Sequence, residues 1–219
     1  MQMTKKDLYI AVVNQDKAKE FVHLDIPQTD LAEVVMGRNA EGHGTPLTAG
    51  SLSSMWLTDE EALEIAQDHT NHEHFTCITV AHALGLDAEG AGIDPETSAD
   101  MAAPYSQMPL YVLTNASGID GAAAITRPEI LKGITDKMGP VYVLPSSIHE
   151  VLIIPKSQAP DVESLKAMVR EVNETVVRPE EQLSGNVYAV EGSRIMIADN
   201  KEETLNQDEK KNEERGLTL

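Results

Sequence analysis

Short apolar runs rich in β-branched residues, none of them longer than six residues, alternate along this chain with segments that carry helix-start signals. The first is Leu8–Val13, and the later ones are Leu31–Met36, Leu110–Thr114, Val141–Leu144, Val151–Ile154, Val187–Val190 and Arg194–Ala198. Runs of this length read as strands, because a helix in a globular protein needs about ten residues or more. Between them, Thr58 and Glu61 form a capping box that opens a helix with Ala62, Ile65 and Ala66 on its apolar face and Leu63 at the flank. Thr126, Pro128 and Glu129 carry similar start chemistry for a second helix, which Gly139 closes. Asp161 caps a third, in which Val162, Leu165, Met168, Val169 and Val172 repeat at helical spacing and are expected to cover one sheet face. The predicted fold class is therefore α+β, a mainly antiparallel sheet covered by helices.

Local order supports two hairpins. Val141–Leu144 and Val151–Ile154 are separated by Pro145–Glu150, too long for the tightest two-residue turn but short enough for an antiparallel pair. The second hairpin turns around Glu191 and Gly192, and a short helix is expected within Asp16–His23. Leu84–Pro109 is rich in Gly, Ala, Asp and Pro and reads as a linker. The expected organisation is an N-terminal α+β half over 1–83, a linker over 84–109, a C-terminal α+β half over 110–198 and a disordered polar tail over 199–219. Tyr9, Pro27 and the run from Leu31 echo Tyr111, Pro145 and the run from Val151. Two related halves are one reading of that echo, and the recurrence of generic strand and helix signals is the other.

Composition bounds the partners. Acidic residues outnumber basic ones 36 to 17, for a formal charge of −19, which repels phosphate backbones and anionic membranes at long range. The segment from Asp199 to Arg215 accounts for only −3 of this, so the remaining −16 belongs to the body of the chain. Aromatic residues are few, with two Phe, one Trp and five Tyr, so burial must rest on aliphatic side chains and nine Met, and an oligomer interface is a natural supplement. Cys77 stands alone, which excludes an intrachain disulfide. Leu8–Val13 is too short for a signal-peptide core or a membrane span, and the cytoplasm is the expected compartment.

Several segments carry a resemblance: YVLTN at Tyr111–Asn115, GAAAI at Gly121–Ile125, LPSSIHEVLIIP at Leu144–Pro155, the MVREVN stretch from Met168 and LSGNVY at Leu183–Tyr188. With the Met-Trp pair and acidic helix of Met55–Ala66, they resemble an uncharacterised bacterial family, domain-of-unknown-function family 5688, over most of residues 8–198. The resemblance implies no reaction, ligand or partner.

Ser146, Ser147, His149 and Glu150 form the one compact set of reactive side chains in a connection between strands, where rigid flanking elements favour a site. A Ser–His nucleophile would also need a third group to orient the imidazole, which the local sequence does not place. The structural alternative is that Pro145 and the serines shape the turn while His149 and Glu150 bond to backbone or water. Asn115 joins these residues as a candidate binding residue. His69, His72 and His74, with Cys77 and His82 nearby, raise a metal reading, but a regular element cannot present all three histidines together and no metal is expected. Gly118 and Gly121 match neither a P-loop nor a dinucleotide fingerprint, and Asp94, Glu96 and Asp100 lack the EF-hand order.

The resulting expectation is a non-enzymatic intracellular binding or accessory protein that presents an acidic surface to a protein partner, with no cofactor, no direct nucleic-acid contact and no membrane association. Imitation of nucleic acid toward a basic partner is a narrower form of the same expectation. A hydrolase using Ser147 and His149, or a small-ligand sensor at the same PSSIHE hairpin, is the alternative.

Overall fold

The computed structural model describes residues 3–39, 41–83 and 109–199; the expected linker up to residue 108, its acids Asp94, Glu96 and Asp100, and the polar tail from residue 200 lie outside the described residues. In chain order the elements are β1 (Leu8–Asn14), α1 (Gln15–Ala18), β2 (His23–Asp25), β3 (Leu31–Arg38), β4 (Gly44–Pro46), α2 (Ala49–Ser53), α3 (Asp59–Asn71), β5 (Phe75–Thr79) and α4 (Val80–Ala83). There follow β6 (Tyr111–Asn115), a 3₁₀ segment (Gly121–Thr126), α5 (Pro128–Met138), β7 (Val141–Leu144), β8 (Val151–Pro155), α6 (Val162–Thr175), β9 (Tyr188–Glu191) and β10 (Arg194–Ile197).

The strands form two antiparallel sheets, so the fold is α+β. One has the order β1-β3-β2, with β4 also paired to β3, and the other runs β10-β9-β7-β8-β6-β5. Strand β5 precedes the linker-like stretch in sequence yet pairs with β6, with Cys77 opposite Leu113. The hairpin around Pro145–Glu150 pairs Leu144 with Leu152 and Val141 with Pro155, as the two apolar runs require.

Alternation along the strands explains why those runs are apolar throughout. Val141, Val143, Val151, Ile153, Tyr188 and Val190 point into the main core, which they share with Leu8, Ile10 and Val12 of β1 and with Ala62 and Ala66 of α3. Tyr142, Leu144, Ile154 and Ala189 point the other way and pack on Val162, Leu165 and Val169 of α6. Both faces of the six-stranded sheet are thus covered, which removes the polar alternation of a half-exposed sheet. Each aliphatic side chain that α6 buries contributes about 1.5–3 kcal/mol.

Two of the expected helix starts hold as read. Thr58 Oγ1 accepts from the Glu61 N–H while the Glu61 carboxylate accepts from the Thr58 N–H, and Asp161 accepts from the Ser164 N–H. The third does not. Arg127 occupies the N-cap of α5 without a side-chain cap, because Thr126 ends the preceding 3₁₀ turn and its hydroxyl donates back to the Ala123 carbonyl at 2.9 Å. Pro128 still takes the first helical position, and Gly139 ends the helix with φ 74°. The expected helix within Asp16–His23 is the single turn Gln15–Ala18, and His23 already belongs to β2.

Candidate functional site

The connection from Pro145 to Glu150 is fixed mainly through its backbone. The Ser147 N–H donates to the Glu150 carbonyl at 3.1 Å, and the Ser146 hydroxyl donates to the same oxygen at 2.9 Å. The His149 N–H donates to Ser147 Oγ at 3.1 Å. Neighbouring segments hold the turn from outside: Thr114 Oγ1 donates to the His149 carbonyl at 2.8 Å, the Ala122 N–H to the Ile148 carbonyl at 3.2 Å, and the Ile148 N–H to the Glu181 carbonyl at 2.9 Å.

The His149 ring lies between two carboxylates distant in sequence. Its Nδ1 accepts the Asp120 N–H at 3.1 Å, so the proton of the neutral ring sits on Nε2. Nδ1 is 3.8 Å from Asp120 Oδ1, and Nε2 is 3.7 Å from Glu181 Oε1. Asp120 is buried, and its Oδ2 accepts from the Tyr9 hydroxyl at 2.8 Å. Burial, reinforced by the Asp120 charge, raises the Tyr9 pKa far above the usual phenol value, against a weaker opposing pull from Arg38, whose guanidinium lies over the Tyr9 ring at 4.5 Å. Arg178 pairs with Glu181 at the outer side.

Chemically this is a ring whose acceptor nitrogen is taken by a backbone N–H. Neither serine hydroxyl bonds to the imidazole among the described residues: Ser147 Oγ receives the His149 amide, and Ser146 Oγ goes to the Glu150 carbonyl. Glu150 enters the network through that carbonyl. Asn115 is buried and saturated, with Nδ2 donating to the Ile119 carbonyl and to Glu73 and Oδ1 accepting from Ser117 Oγ and the Ile119 N–H. It closes the turn that delivers Asp120. The structure therefore brings Ser146, Ser147, His149 and Glu150 together with Asp120, Glu181 and Tyr9, while Asn115 supports them from behind.

The other histidines do not converge. His69 Nδ1 meets the Leu8 carbonyl at 2.8 Å, His72 Nδ1 meets the Asp68 carbonyl at 2.7 Å, and His74 lies exposed between α3 and β5. Cys77 is half-buried in β5, and burial pushes its thiol pKa up to about 11. Among the described residues no group of three or more His, Cys, Asp or Glu side chains is placed to hold a metal ion.

A second feature stands out on the surface. Trp56, the one tryptophan of the chain, is 91% exposed and has φ 56°, a left-handed conformation that bulky residues rarely adopt. Its neighbours fix it: Leu52 and Leu57 are buried, Met55 packs on the core, and the Leu57 N–H donates to the Leu52 carbonyl. Three residues on, α3 opens with Asp59, Glu60 and Glu61 exposed, and Glu64 and Asp68 continue the Glu60 row at four-residue steps. Sequence reasoning singled out neither Trp56 nor Asp120, Glu181 and Tyr9 as functional residues. For Trp56 a signal existed, an isolated aromatic set between two anchoring apolar residues and an acidic helix start. For the other three, nothing local announces the contact.

Nearly the whole chain matches one family model: residues 1–191 fit the model described as Family of unknown function (DUF5688). No curated protein and no solved structure matches. No helix among the described residues is long and apolar enough to cross a membrane.

Proposed function

Since the chain belongs to this family of unknown function, DUF5688, we propose that it acts by binding rather than by catalysis, docking a basic protein partner through Trp56 and the acidic face of α3. Exposure of Trp56 is the observation that carries this reading. An indole left in water in a left-handed backbone is unfavourable twice over, and functional sites are where such strain collects. Burying on the order of 200 Å² of aromatic surface would contribute roughly 5 kcal/mol at the usual area coefficient. Tryptophan is also among the residues that dominate binding hot spots. Glu60, Glu64 and Asp68 supply charge complementarity, and as like charges four residues apart they strain the free helix slightly. The cytoplasm is the compartment we assign, in keeping with a lone, half-buried thiol.

Because Trp56 is the only tryptophan, its fluorescence reports the interaction directly. Titration with an amphipathic Lys/Leu peptide at low salt is expected to shift the emission to the blue, and raising the salt should weaken the effect. Trp56→Ala, followed by a peptide-borne fluorophore, should lower the affinity at least about tenfold. Unchanged emission at every salt concentration, or equal affinity for Trp56→Ala, would overturn the reading.

A further inference from the structure

Glu33 sits where the strand pattern calls for an apolar residue. Along β3, Leu31, Glu33 and Val35 share one face, and Leu31 and Val35 belong to the main core. Glu33 is only 6% exposed. A single hydrogen bond reaches its carboxylate among the described residues, from Gln67 Nε2 to Oε2 at 2.5 Å. A buried carboxylate held by one amide is incompletely satisfied.

The buried guanidinium on which Glu33 acts does not complete it. Arg127 is 4% exposed, donates through one terminal nitrogen to Asn71, and has no hydrogen-bond partner at Nε or at its other terminal nitrogen. Glu33, Glu129 and Glu73 all act on it electrostatically, yet no ion pair within 4.0 Å joins Arg127 to any of them among the described residues. Three carboxylates against one guanidinium leave this region net negative.

Glu33 also opens onto space. A cavity of about 260 Å³ lies between the end of β2, β3, α3, α5 and β10, with Glu33, Gln67 and the more exposed Asp25 among its polar groups and Ile26, Ile125, Leu131 and Ile195 among its apolar walls. We propose that this cavity is a binding site for a small organic cation, a primary ammonium group on an aliphatic body. The Glu33 carboxylate supplies acceptor oxygens, and Gln67, with its amide nitrogen committed to Glu33, leaves its carbonyl oxygen as a second acceptor. An ammonium, with three donors and no acceptor, complements that pair. The negative surroundings repel a carboxylate or phosphate and favour a cation, and the long-range field of a chain at −19 acts in the same sense. The volume falls just below the lower end of the range for drug-sized ligands, about 300 Å³, so the ligand is small.

The test uses the full chain and three probes of one length, hexylammonium, hexanol and hexanoate, titrated at constant ionic strength and followed by NMR chemical shifts. Hexylammonium is expected to bind at least about tenfold more tightly than hexanol, the ratio that one charge-assisted hydrogen bond supplies, with hexanoate weakest. Glu33→Gln keeps an acceptor for Gln67 and should abolish the preference for the ammonium while leaving weak hexanol binding. Ile195→Phe, which fills the cavity from the β10 side, should weaken all three probes and leave Glu33 in place. Ammonium-induced shifts should fall on Ile26, Ile125 and Leu131, a readout that decides the matter if Glu33→Gln fails to fold. Equal affinity for hexanol and hexylammonium, no binding of either, shifts located elsewhere, or a preference that survives Glu33→Gln would each overturn the proposal.

Discussion

Asp120 combines a left-handed backbone, φ 55° and ψ 22°, with burial and two bonds that both matter to the turn at His149. Its amide fixes the imidazole and its carboxylate receives the Tyr9 hydroxyl. Asn and Asp tolerate this backbone better than other L-residues because their short polar side chains bond locally. Replacement by Ala would keep the amide bond but leave the Tyr9 hydroxyl without its acceptor and place a methyl group in a conformation it resists. Asp120→Ala is expected to lose about 2–4 kcal/mol of stability and Asp120→Asn, which retains an acceptor oxygen, only about 1 kcal/mol. Urea unfolding of the two variants beside the wild type checks this, and equal losses would mean that neither the acceptor nor the backbone angle is what Asp120 supplies. At the same scale, Cys77 is a structural thiol: with its pKa at about 11 its thiolate is scarce at neutral pH.

Elements meet backbone against backbone where the 3₁₀ segment begins. A Cβ on Gly121 would lie 2.3 Å from Thr114 Oγ1, 2.6 Å from the His149 carbonyl oxygen and 2.7 Å from the Asn115 nitrogen, and two of those three are backbone atoms that cannot rotate away. Gly133, on the exposed side of α5, would meet nothing within 4 Å. The same substitution should therefore have opposite signs: Gly121→Ala destabilises by at least about 2 kcal/mol through overpacking, and Gly133→Ala stabilises by about 0.5–1 kcal/mol through helix propensity. Thermal unfolding distinguishes them, and a tolerated Gly121→Ala would show that β6 and the His149 turn are not locked together. Strands such as Val141–Leu144 were legible because two covered faces demand unbroken apolar runs, and the caps at Thr58 and Asp161 because their chemistry is local. Strands β2 and β4, three residues each, are too short to show a period. The start of α5 was misread because Thr126 serves the turn behind it rather than the helix ahead. The residues around His149 were only half legible: the PSSIHE turn is contiguous, whereas Asp120 and Glu181 reach it from segments about 30 residues away on either side, and no local pattern encodes such a meeting.

On the scale of the molecule, two tyrosine–carboxylate bonds tie the four-stranded sheet to the segments of the six-stranded one. Tyr188 of β9 is fully buried and donates to Asp30, just ahead of β3, at 2.5 Å, and Asp30 also accepts from Ser184 and Asn14. Tyr9 of β1 donates to Asp120, ahead of the 3₁₀ segment that follows β6. Burial comes first in raising both phenol pKa values, and the carboxylate partners add to it. In the unfolded chain the two phenols ionise near pH 10, while in the folded protein they hold their protons to higher pH. Above about pH 10 the unfolded state therefore binds fewer protons than the native state, and stability falls as pH rises. The stabilisation is complete below that value and declines above it by about 1.4 kcal/mol per pH unit for each tyrosine. Urea unfolding between neutral pH and about pH 11 should show this decline in the wild type, added to the one that the raised Cys77 thiol contributes above about pH 9, one tyrosine's share less in Tyr9→Phe or Tyr188→Phe, and neither tyrosine's share in the double variant. Tyr9→Phe also loses about 1–3 kcal/mol at neutral pH, because the buried Asp120 carboxylate is left without its donor, whereas Tyr188→Phe loses less through its hydroxyl, since Asp30 is half-buried and keeps its bonds from Ser184 and Asn14. If wild type and double variant fall in parallel above pH 10, the two bonds do not couple the sheets through the ionisation of these tyrosines, and alkaline unfolding must begin elsewhere in the chain.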